Sequence, residues 1–186
     1  LEYDSLGTWE WIVTPRGEPF LMEVNARIQV ECGVSGAVAD VGRGRGVDLV
    51  AEQVRLALGE PLGYAQEDVD LSGVAVEYRI VAEDPEDRFR PCSGAVERFT
   101  WPEADWLTVH THLPDAGSAG CRYEIPSEFD PNLALGIVTA DSLAQARERG
   151  AAFLEGLVLE GTDTRGGPLA SNVDFLKRRT PGILEF

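Results

Sequence analysis

The 186-residue sequence has no run of about 18 apolar residues, so no transmembrane helix is predicted. Its opening residues, LEYDSLGTWEW, lack a basic segment followed by an apolar one, so no signal peptide is predicted. Basic residues are scarce, with 16 Lys and Arg against 32 Asp and Glu. The resulting charge of -16 argues against binding nucleic acid or an anionic membrane through phosphate contacts. Three widely spaced cysteines form neither a disulfide framework nor a metal-binding spacing, and we expect a cytoplasmic protein.

The length of the chain predicts one domain or two small ones. The sequence begins at Leu1 rather than Met and reaches a strand-like segment within a few residues, so we expect a fragment of a longer protein. A Glu60-Pro61 step interrupts the chain after a predicted helix. We therefore place a domain boundary near residue 62, which gives domains 1–62 and 63–186.

Strand-forming segments dominate the middle of the sequence, and helical segments punctuate its ends. Strands are predicted at residues 8–13, 19–31, 73–82, 94–100, 106–112 and 133–139. Helices are predicted at residues 47–58, 142–157 and 171–179. Residues 42–46 are glycine-rich and are predicted to form a surface loop. The pattern indicates an α+β fold with mainly antiparallel sheets.

Residues 23–31 have the sequence EVNARIQVE, in which polar and apolar side chains alternate. On an extended strand this alternation places Glu23, Asn25, Arg27, Gln29 and Glu31 on one face. The simplest interpretation is an amphipathic strand whose polar face is solvated. The mixture of two carboxylates, two amides and a guanidinium equally allows a binding face.

A second carboxylate can reach the same place. If the turn at Pro15-Arg16-Gly17 is centred on Arg16 and Gly17, Glu10 lies directly opposite Glu23. Opposed like charges destabilise a strand pair, and a divalent cation with oxygen ligands would relieve the repulsion. Two carboxylates and the Asn25 oxygen suit Mg²⁺. A register shift of one or two residues would instead leave Glu10 solvated.

The rest of the polar face then acquires candidate roles. Arg27 would lie roughly 13 Å along the strand from Glu23 and could hold a planar oxyanion. Glu31, at the far end, is a candidate general base, and Gln29 could orient a substrate between them.

Three segments of the sequence resemble the pattern of a known family. Residues 23–31 resemble the motif E-x-N-x-R-x-Q-V-E, and residues 7–10, GTWE, resemble a G-T-x-E strand. Residues 73–85, GVAVEYRIVAEDP, are similar to G-H-A-x-E-x-R-I-x-A-E-D-P. These are motifs of the biotin carboxylases, the ATP-grasp component of biotin-dependent carboxylases. Further similarities cover nearly the whole chain, at residues 46–62, 89–94, 130–131 and 171–173.

The resemblance implies an ATP-dependent ligase. ATP would phosphorylate bicarbonate to carboxyphosphate, which decomposes to CO₂ and phosphate, and biotin would capture the CO₂ after losing its N1′ proton to that phosphate. The implied cofactors are ATP, Mg²⁺ (or Mn²⁺) and biotin on a carrier protein. The implied fold is the end of an ATP-grasp domain followed by a biotin carboxylase C-terminal domain. The family's nucleotide-gripping lysines and glycine-rich lid would precede this segment, so the isolated chain is expected to be inactive.

The resemblance also implies a role for each matching residue. The metal ligands would be Glu10, Glu23 and Asn25. Bicarbonate would be held by Arg27, Gln29 and the Val30 amide. Glu31 would deprotonate bicarbonate, and Arg79 would stabilise the biotin enolate. From the residues alone, Arg79 is instead a strand arginine paired with Glu77 or Glu83.

Several positions depart from the family's pattern. They are Cys32 for a usual His, Gly33 for Pro, Gly36 for an acidic residue, Tyr78 for a small residue and Leu135 for Lys. Residues 40–46 and 161–170 are expected insertions. Because the predicted metal and bicarbonate residues are intact, the departures bear on carrier or subunit contacts more than on the chemistry.

The implied partners are a biotin carboxyl carrier, a carboxyltransferase and further copies of the parent protein in a homo-oligomer. The final carboxyl acceptor is chosen by the carboxyltransferase and not by these residues. Two alternatives stay open: a non-catalytic interaction module derived from a carboxylase, and another ATP-grasp ligase such as a carbamoyl-phosphate-synthetase-like domain.

Overall fold

A computed structural model describes residues 3–42, 44–114, 116 and 122–183, so Cys121 lies outside the described residues. The chain forms two compact units, Leu1–Ser72 and Gly73–Phe186. Residues 63–72 therefore belong to the first unit, beyond the boundary placed at residue 62. Mixed helices and antiparallel sheets confirm the α+β class. Within the described ranges no helix has both the length and the apolar character needed to cross a membrane.

The first unit consists of a β-hairpin, two helices and a small three-stranded sheet. Its elements are β1 Thr8–Val13, β2 Pro19–Asn25, α1 Cys32–Val38, β3 Ala39–Val41, β4 Gly44–Arg45, α2 Leu49–Ala57 and β5 Val69–Leu71. Strands β1 and β2 pair with each other, and the second sheet has the order β4-β3-β5. The segment predicted as a loop at residues 42–46 thus contributes β4, because its backbone pairs with β3.

A β-bulge sets the register of the hairpin. Near the turn, Val13 pairs with Pro19, which is one position off the predicted register. The register shifts between Glu10 and Trp11, so that Glu10 faces Glu23 as predicted. A bulge adds a residue to one strand and restores the pairing beyond it. The predicted pairing of the two carboxylates is confirmed, but it depends on a bulge that the sequence pattern did not reveal.

Helix α2 begins two residues after the predicted start at residue 47 and ends one residue before the predicted end at residue 58. The Asp48 side chain accepts a hydrogen bond from the Ala51 amide at 2.9 Å and caps the N-terminus. At the C-terminus Gly59 adopts a φ of 83°, which glycine reaches without strain. The Gly59 amide donates to Leu56 and the Glu60 amide to Arg55, which is the Schellman arrangement.

The first unit buries little of its apolar surface. Gly36 is the one buried residue among those described in this unit. Exposed apolar side chains lie along both hairpin strands, including Trp9, Trp11, Phe20 and Val24. The apolar face of β2 is therefore not buried against a core among the described residues, because Val24 is 41% exposed.

The second unit is built from three antiparallel sheets and two helices. Its elements are β6 Val74–Val81, β7 Glu83–Asp84, β8 Arg90–Pro91, β9 Gly94–Thr100, β10 Leu107–Thr111, β11 Tyr123–Glu124, β12 Asn132–Ala140, α3 Leu143–Gly156, β13 Val158–Asp163 and α4 Val173–Arg179. The sheet orders are β10-β12-β6, β11-β9-β13 and β7-β8. The strands predicted at residues 73–82, 94–100, 106–112 and 133–139 are all present, whereas β13 was not predicted.

A single apolar cluster forms the core of the second unit. Helix α3 packs on β12 and β6 and buries Phe153 and Leu154 completely. The Phe153 ring lies 5.9 Å from that of Tyr78, one of the positions that departs from the family's pattern. Burial raises the pKa of Tyr78, although a hydrogen bond with Thr180 partly opposes the shift.

The N-terminus of α3 is capped by Ser142, whose side chain accepts from the Gln145 amide at 3.3 Å. The Gln145 side chain accepts in return from the Asp141 amide at 2.8 Å, one residue before the position that a capping box would use. The predicted helix at residues 142–157 is confirmed with these ends.

We predict that Leu154→Ala destabilises the second unit by about 2–5 kcal/mol, because it removes a fully buried side chain and leaves a cavity. Leu143→Ala is the matched control on the same helix. Leu143 is 39% exposed, and its truncation is expected to cost about 1 kcal/mol or less. Urea denaturation followed by circular dichroism measures both. Equal losses for the two variants would contradict the assignment of the core.

Candidate functional site

The hairpin of the first unit brings two carboxylates together. Glu10 on β1 and Glu23 on β2 are direct cross-strand partners. Glu10 is half-buried and Glu23 is exposed. Directly opposed like charges disfavour strand pairing, so this pair needs a compensating group.

Asn25 supplies that compensation within the chain. Its Nδ2 donates to Glu10 Oε1 at 3.1 Å and to Glu23 Oε1 at 3.0 Å. One amide nitrogen carries two hydrogens and can therefore serve both carboxylates at once. The three side chains form one hydrogen-bonded group, which we call the Glu-Asn-Glu cluster (Glu10, Asn25 and Glu23).

Gln29 joins the edge of this cluster. Its Nε2 lies 3.5 Å from Glu10 Oε1, at the limit of a hydrogen bond. Its Oε1 is buried and has no hydrogen-bond partner among the described residues. A buried acceptor without a donor is costly. The side chain thus holds one oxygen ready for a donor that these residues do not supply.

The donor set of the Glu-Asn-Glu cluster fits a hard divalent cation. Mg²⁺ prefers carboxylate and carbonyl oxygens and keeps some positions for water or phosphate oxygens. The described residues contain no group of three or more His, Cys, Asp or Glu side chains placed to hold a metal ion, so the amide oxygen of Asn25 would be the third protein ligand at this site. Rotating the Asn25 amide by half a turn would place its Oδ1 where Nδ2 now lies.

The strand predicted at residues 19–31 ends early. Strand β2 stops at Asn25, and residues 26–31 form bends and turns before α1. The Arg27 amide donates to Asn25 O at 2.8 Å, and the Cys32 amide donates to Gln29 O at 3.1 Å. These local bonds replace strand pairing, so the expectation of one continuous polar face through Arg27 and Glu31 is wrong.

The remaining predicted residues of this segment lie in the connection to α1. Arg27 is exposed, and its Nη1 donates to the neighbouring Ile28 O at 3.1 Å. Val30 is exposed, and Glu31 is the residue immediately before α1. The distance of roughly 13 Å expected between Glu23 and Arg27 assumed an extended chain, and it does not apply to this bent connection.

Arg79 lies on β6 of the second unit. Its Nε forms an ion pair with Glu77 Oε1 at 2.9 Å, so the pairing expected from the residues alone is present. Glu77 is two residues away on the same face of the strand, and Leu135 on β12 is the direct cross-strand partner of Arg79. The side chain of Arg79 is half exposed, which leaves it within reach of a ligand.

Sequence reasoning missed the connection between Arg79 and Asn172. Asn172 precedes α4, where asparagine usually caps the helix, but its side chain makes no capping bond. Its Nδ2 donates to Arg79 O at 2.8 Å, and its Oδ1 accepts from the Val81 amide at 3.0 Å. Asn172 fell inside the helix predicted at residues 171–179, so the local pattern did not indicate a contact with β6.

Two family models match the chain. The biotin carboxylase C-terminal domain matches residues 77–177. The ATP binding domain of the carbamoyl-phosphate synthase L chain matches residues 1–65. The first match includes Arg79 and Asn172, and the second includes the Glu-Asn-Glu cluster.

Curated relatives span most of this chain. A biotin carboxylase of Halalkalibacterium halodurans is 36% identical over 178 residues, which is 96% of this chain and 35% of the relative. The 2-oxoglutarate carboxylase small subunit of Hydrogenobacter thermophilus is 38% identical over 162 residues, which is 87% of this chain and 32% of the relative. This chain therefore spans about a third of the length of these relatives.

A solved structure shares the fold. It is the biotin carboxylase domain dimer of the Hydrogenobacter thermophilus 2-oxoglutarate carboxylase, in complex with MgADP, ADP and bicarbonate. Its TM-score is 0.80 at 34% identity, and the match covers 95% of this chain and 35% of that chain.

We predict that Asn25→Ala loosens the hairpin by about 1 kcal/mol, because it removes the donor that the two carboxylates share. Hydrogen exchange of the β1 and β2 amides reports the local opening free energy. The same substitution in a Glu23→Gln background is the control. With one charge removed the loss becomes smaller, and a loss of equal size in both backgrounds would argue against charge compensation by Asn25.

Proposed function

This chain belongs to the biotin carboxylase C-terminal domain family, and we propose that it is the C-terminal part of a biotin carboxylase. The parent enzyme is an ATP-dependent ligase that uses bicarbonate to carboxylate biotin on a carrier protein. The observation that supports this most directly is the Glu-Asn-Glu cluster, which presents paired oxygen donors within the segment matched by an ATP-binding domain.

Glu10 and Glu23, with the Asn25 oxygen, would hold Mg²⁺ (or Mn²⁺). A divalent ion bound there supplies charge neutralisation for the phosphates of ATP. The chain's own contribution is to hold two carboxylates side by side on a paired hairpin, which keeps the negative charge in one place. In the hairpin itself, Asn25 offsets their repulsion by donating a hydrogen bond to each carboxylate.

Bicarbonate would be held by Arg27, Gln29 and the backbone amide of Val30. A guanidinium and neighbouring N–H donors suit a planar oxyanion. The free oxygen of Gln29 fits this role, because bicarbonate carries a hydroxyl that can donate to it. Glu31 would accept the bicarbonate proton, which makes the anion a better nucleophile toward ATP.

Arg79 would act at the biotin step. Loss of the N1′ proton leaves negative charge on the ureido oxygen of biotin, and a half-exposed guanidinium can stabilise that charge. Its ion pair with Glu77 is compatible with this role, because the bond uses Nε and a guanidinium has further donors on both Nη atoms.

The partners would be a biotin carboxyl carrier and a carboxyltransferase, and the parent protein would be a homo-oligomer. The dimer described for the Hydrogenobacter domain supports the last point. We propose a cytoplasmic location for the parent protein, although the Arabidopsis relative is chloroplastic. Another ATP-dependent ligase is the second candidate, because the model matching residues 1–65 is named for carbamoyl-phosphate synthase. The match at residues 77–177 favours biotin carboxylase.

We predict that the purified 186-residue chain shows no bicarbonate-dependent ATP hydrolysis. It spans about a third of its relatives, and electrostatic preorganisation of a nucleotide site requires all of its groups together. A coupled assay for ADP release, with and without bicarbonate, measures this. Bicarbonate-dependent turnover by this chain would show that the site is complete within it.

In the full-length protein, Glu31→Gln is expected to lower bicarbonate-dependent turnover by about 10²–10⁴-fold while nucleotide binding is retained. The amide keeps the shape of the side chain and removes the basic oxygen. Biotin-dependent ADP release measures turnover, and calorimetric titration with MgADP measures binding.

Glu23→Gln is the matched comparison, because it makes the same chemical change at a proposed metal ligand. It should weaken MgADP binding as well as turnover. Identical profiles for the two variants would refute the separate roles, and near-normal turnover of Glu31→Gln would remove Glu31 from the chemistry.

A further inference from the structure

Asn172 attaches the start of α4 to strand β6 through three hydrogen bonds. Its side chain donates to Arg79 O at 2.8 Å and accepts from the Val81 amide at 3.0 Å. Its backbone amide donates to Val81 O at 3.1 Å. Asn172 is only 8% exposed, so these bonds are shielded from competing water.

These bonds complete an edge of the sheet. Strand β6 is the last strand in the order β10-β12-β6, so only one edge of β6 is paired, with β12. The outward backbone groups of an edge strand need other partners when they are buried. The side-chain amide of Asn172 forms hydrogen bonds with the carbonyl of Arg79 and the N–H of Val81, as the backbone of a neighbouring strand would. It thereby fixes the backbone from which the Arg79 side chain projects.

Glu77 holds the guanidinium at the far end of the Arg79 side chain. Its side chain is 7% exposed, and its Oε1 accepts from Arg79 Nε at 2.9 Å. Its Oε2 is buried and accepts no hydrogen bond from any residue that the structure describes. Burying a carboxylate with one oxygen unsatisfied costs free energy. Fold stability alone does not explain why a carboxylate is buried at this position, whereas a role in orienting the guanidinium of Arg79 does.

We propose that Asn172 and Glu77 are the positioning residues of Arg79, Asn172 through its backbone and Glu77 through its guanidinium. The proposal rests on the proposed function, in which Arg79 stabilises the enolate of biotin. A guanidinium that must meet one oxygen of a bound cyclic urea gains from being held, because a misplacement of about 1 Å can cost on the order of 100-fold in rate. Neither residue needs to touch biotin.

Conservative variants of the full-length protein test this. Asn172→Asp keeps an acceptor for the Val81 amide and replaces the donor to Arg79 O with an oxygen. Glu77→Gln keeps the shape and removes the charge beside Nε. Each is expected to lower carboxylation of free biotin by ~10–100-fold and to leave bicarbonate-dependent ATP hydrolysis without biotin within about twofold of the parent.

Asn132→Asp is the matched control. Asn132 lies on β12 opposite Val81, its side chain is exposed, and the same chemical change is made on the other side of β6. It should leave both reactions unchanged. If Asn172→Asp does not fold, as thermal unfolding would reveal, Glu77→Gln alone decides the proposal.

Double variants that include Arg79→Ala separate a positioning role of Asn172 and Glu77 from a purely structural one. Once Arg79→Ala has removed the guanidinium, Asn172→Asp and Glu77→Gln should add no further loss in the biotin step. Additive losses, or equal losses in both partial reactions, would overturn the proposal.

Arg79→Ala separates a failure of the proposed role of Arg79 from a failure of its proposed positioning by Asn172 and Glu77. If Arg79→Ala itself leaves biotin carboxylation intact, the proposed role of Arg79 fails, and the positioning proposal fails with it. If Arg79→Ala abolishes that step while Asn172→Asp and Glu77→Gln retain it, only the positioning proposal fails.

Discussion

The pairing of β6 with β12 is the interaction on which the second unit depends. It aligns the two strands from Val74 to Val81, and α3 covers the resulting sheet with Phe153 and Leu154. The same pairing leaves one edge of β6 for the side chain of Asn172. A single strand thus contributes both to the core and to the backbone that carries Arg79, so the position of this arginine is tied to the buried core of the unit.

The first unit follows a different principle, in which electrostatics rather than burial organises the functional residues. Two carboxylates face each other, and one amide between them makes the arrangement tolerable. The amide of Asn25 therefore offers two different groups at this place: its N–H group links the carboxylates by hydrogen bonds, and under the proposed function its oxygen would complete a set of ligands for a cation.

The sequence predicted the features that depend on local patterns. The turn at residues 15–17 and the alternation of β2 indicated that Glu10 lies opposite Glu23, but the folded chain reaches this pairing through a bulge between Glu10 and Trp11 that no local pattern revealed. The end of β2 at Asn25 could not be predicted, because polar and apolar residues alternate through Glu31 and only the turn bonds of the folded chain end the strand. Asn172 was missed for a different reason: its partners lie 91 and 93 residues away, beyond the range of any local pattern.

The apolar side chains on both faces of the hairpin have a consequence for the chain in solution. Trp9, Trp11 and Phe20 are exposed, whereas the buried apolar cluster belongs wholly to the second unit. Exposed, strand-forming apolar segments favour self-association. Resistance to unfolding and resistance to aggregation are therefore separate properties of this chain. Resistance to unfolding depends on the core of the unit that holds Arg79, whereas resistance to aggregation depends on the hairpin that holds the two carboxylates.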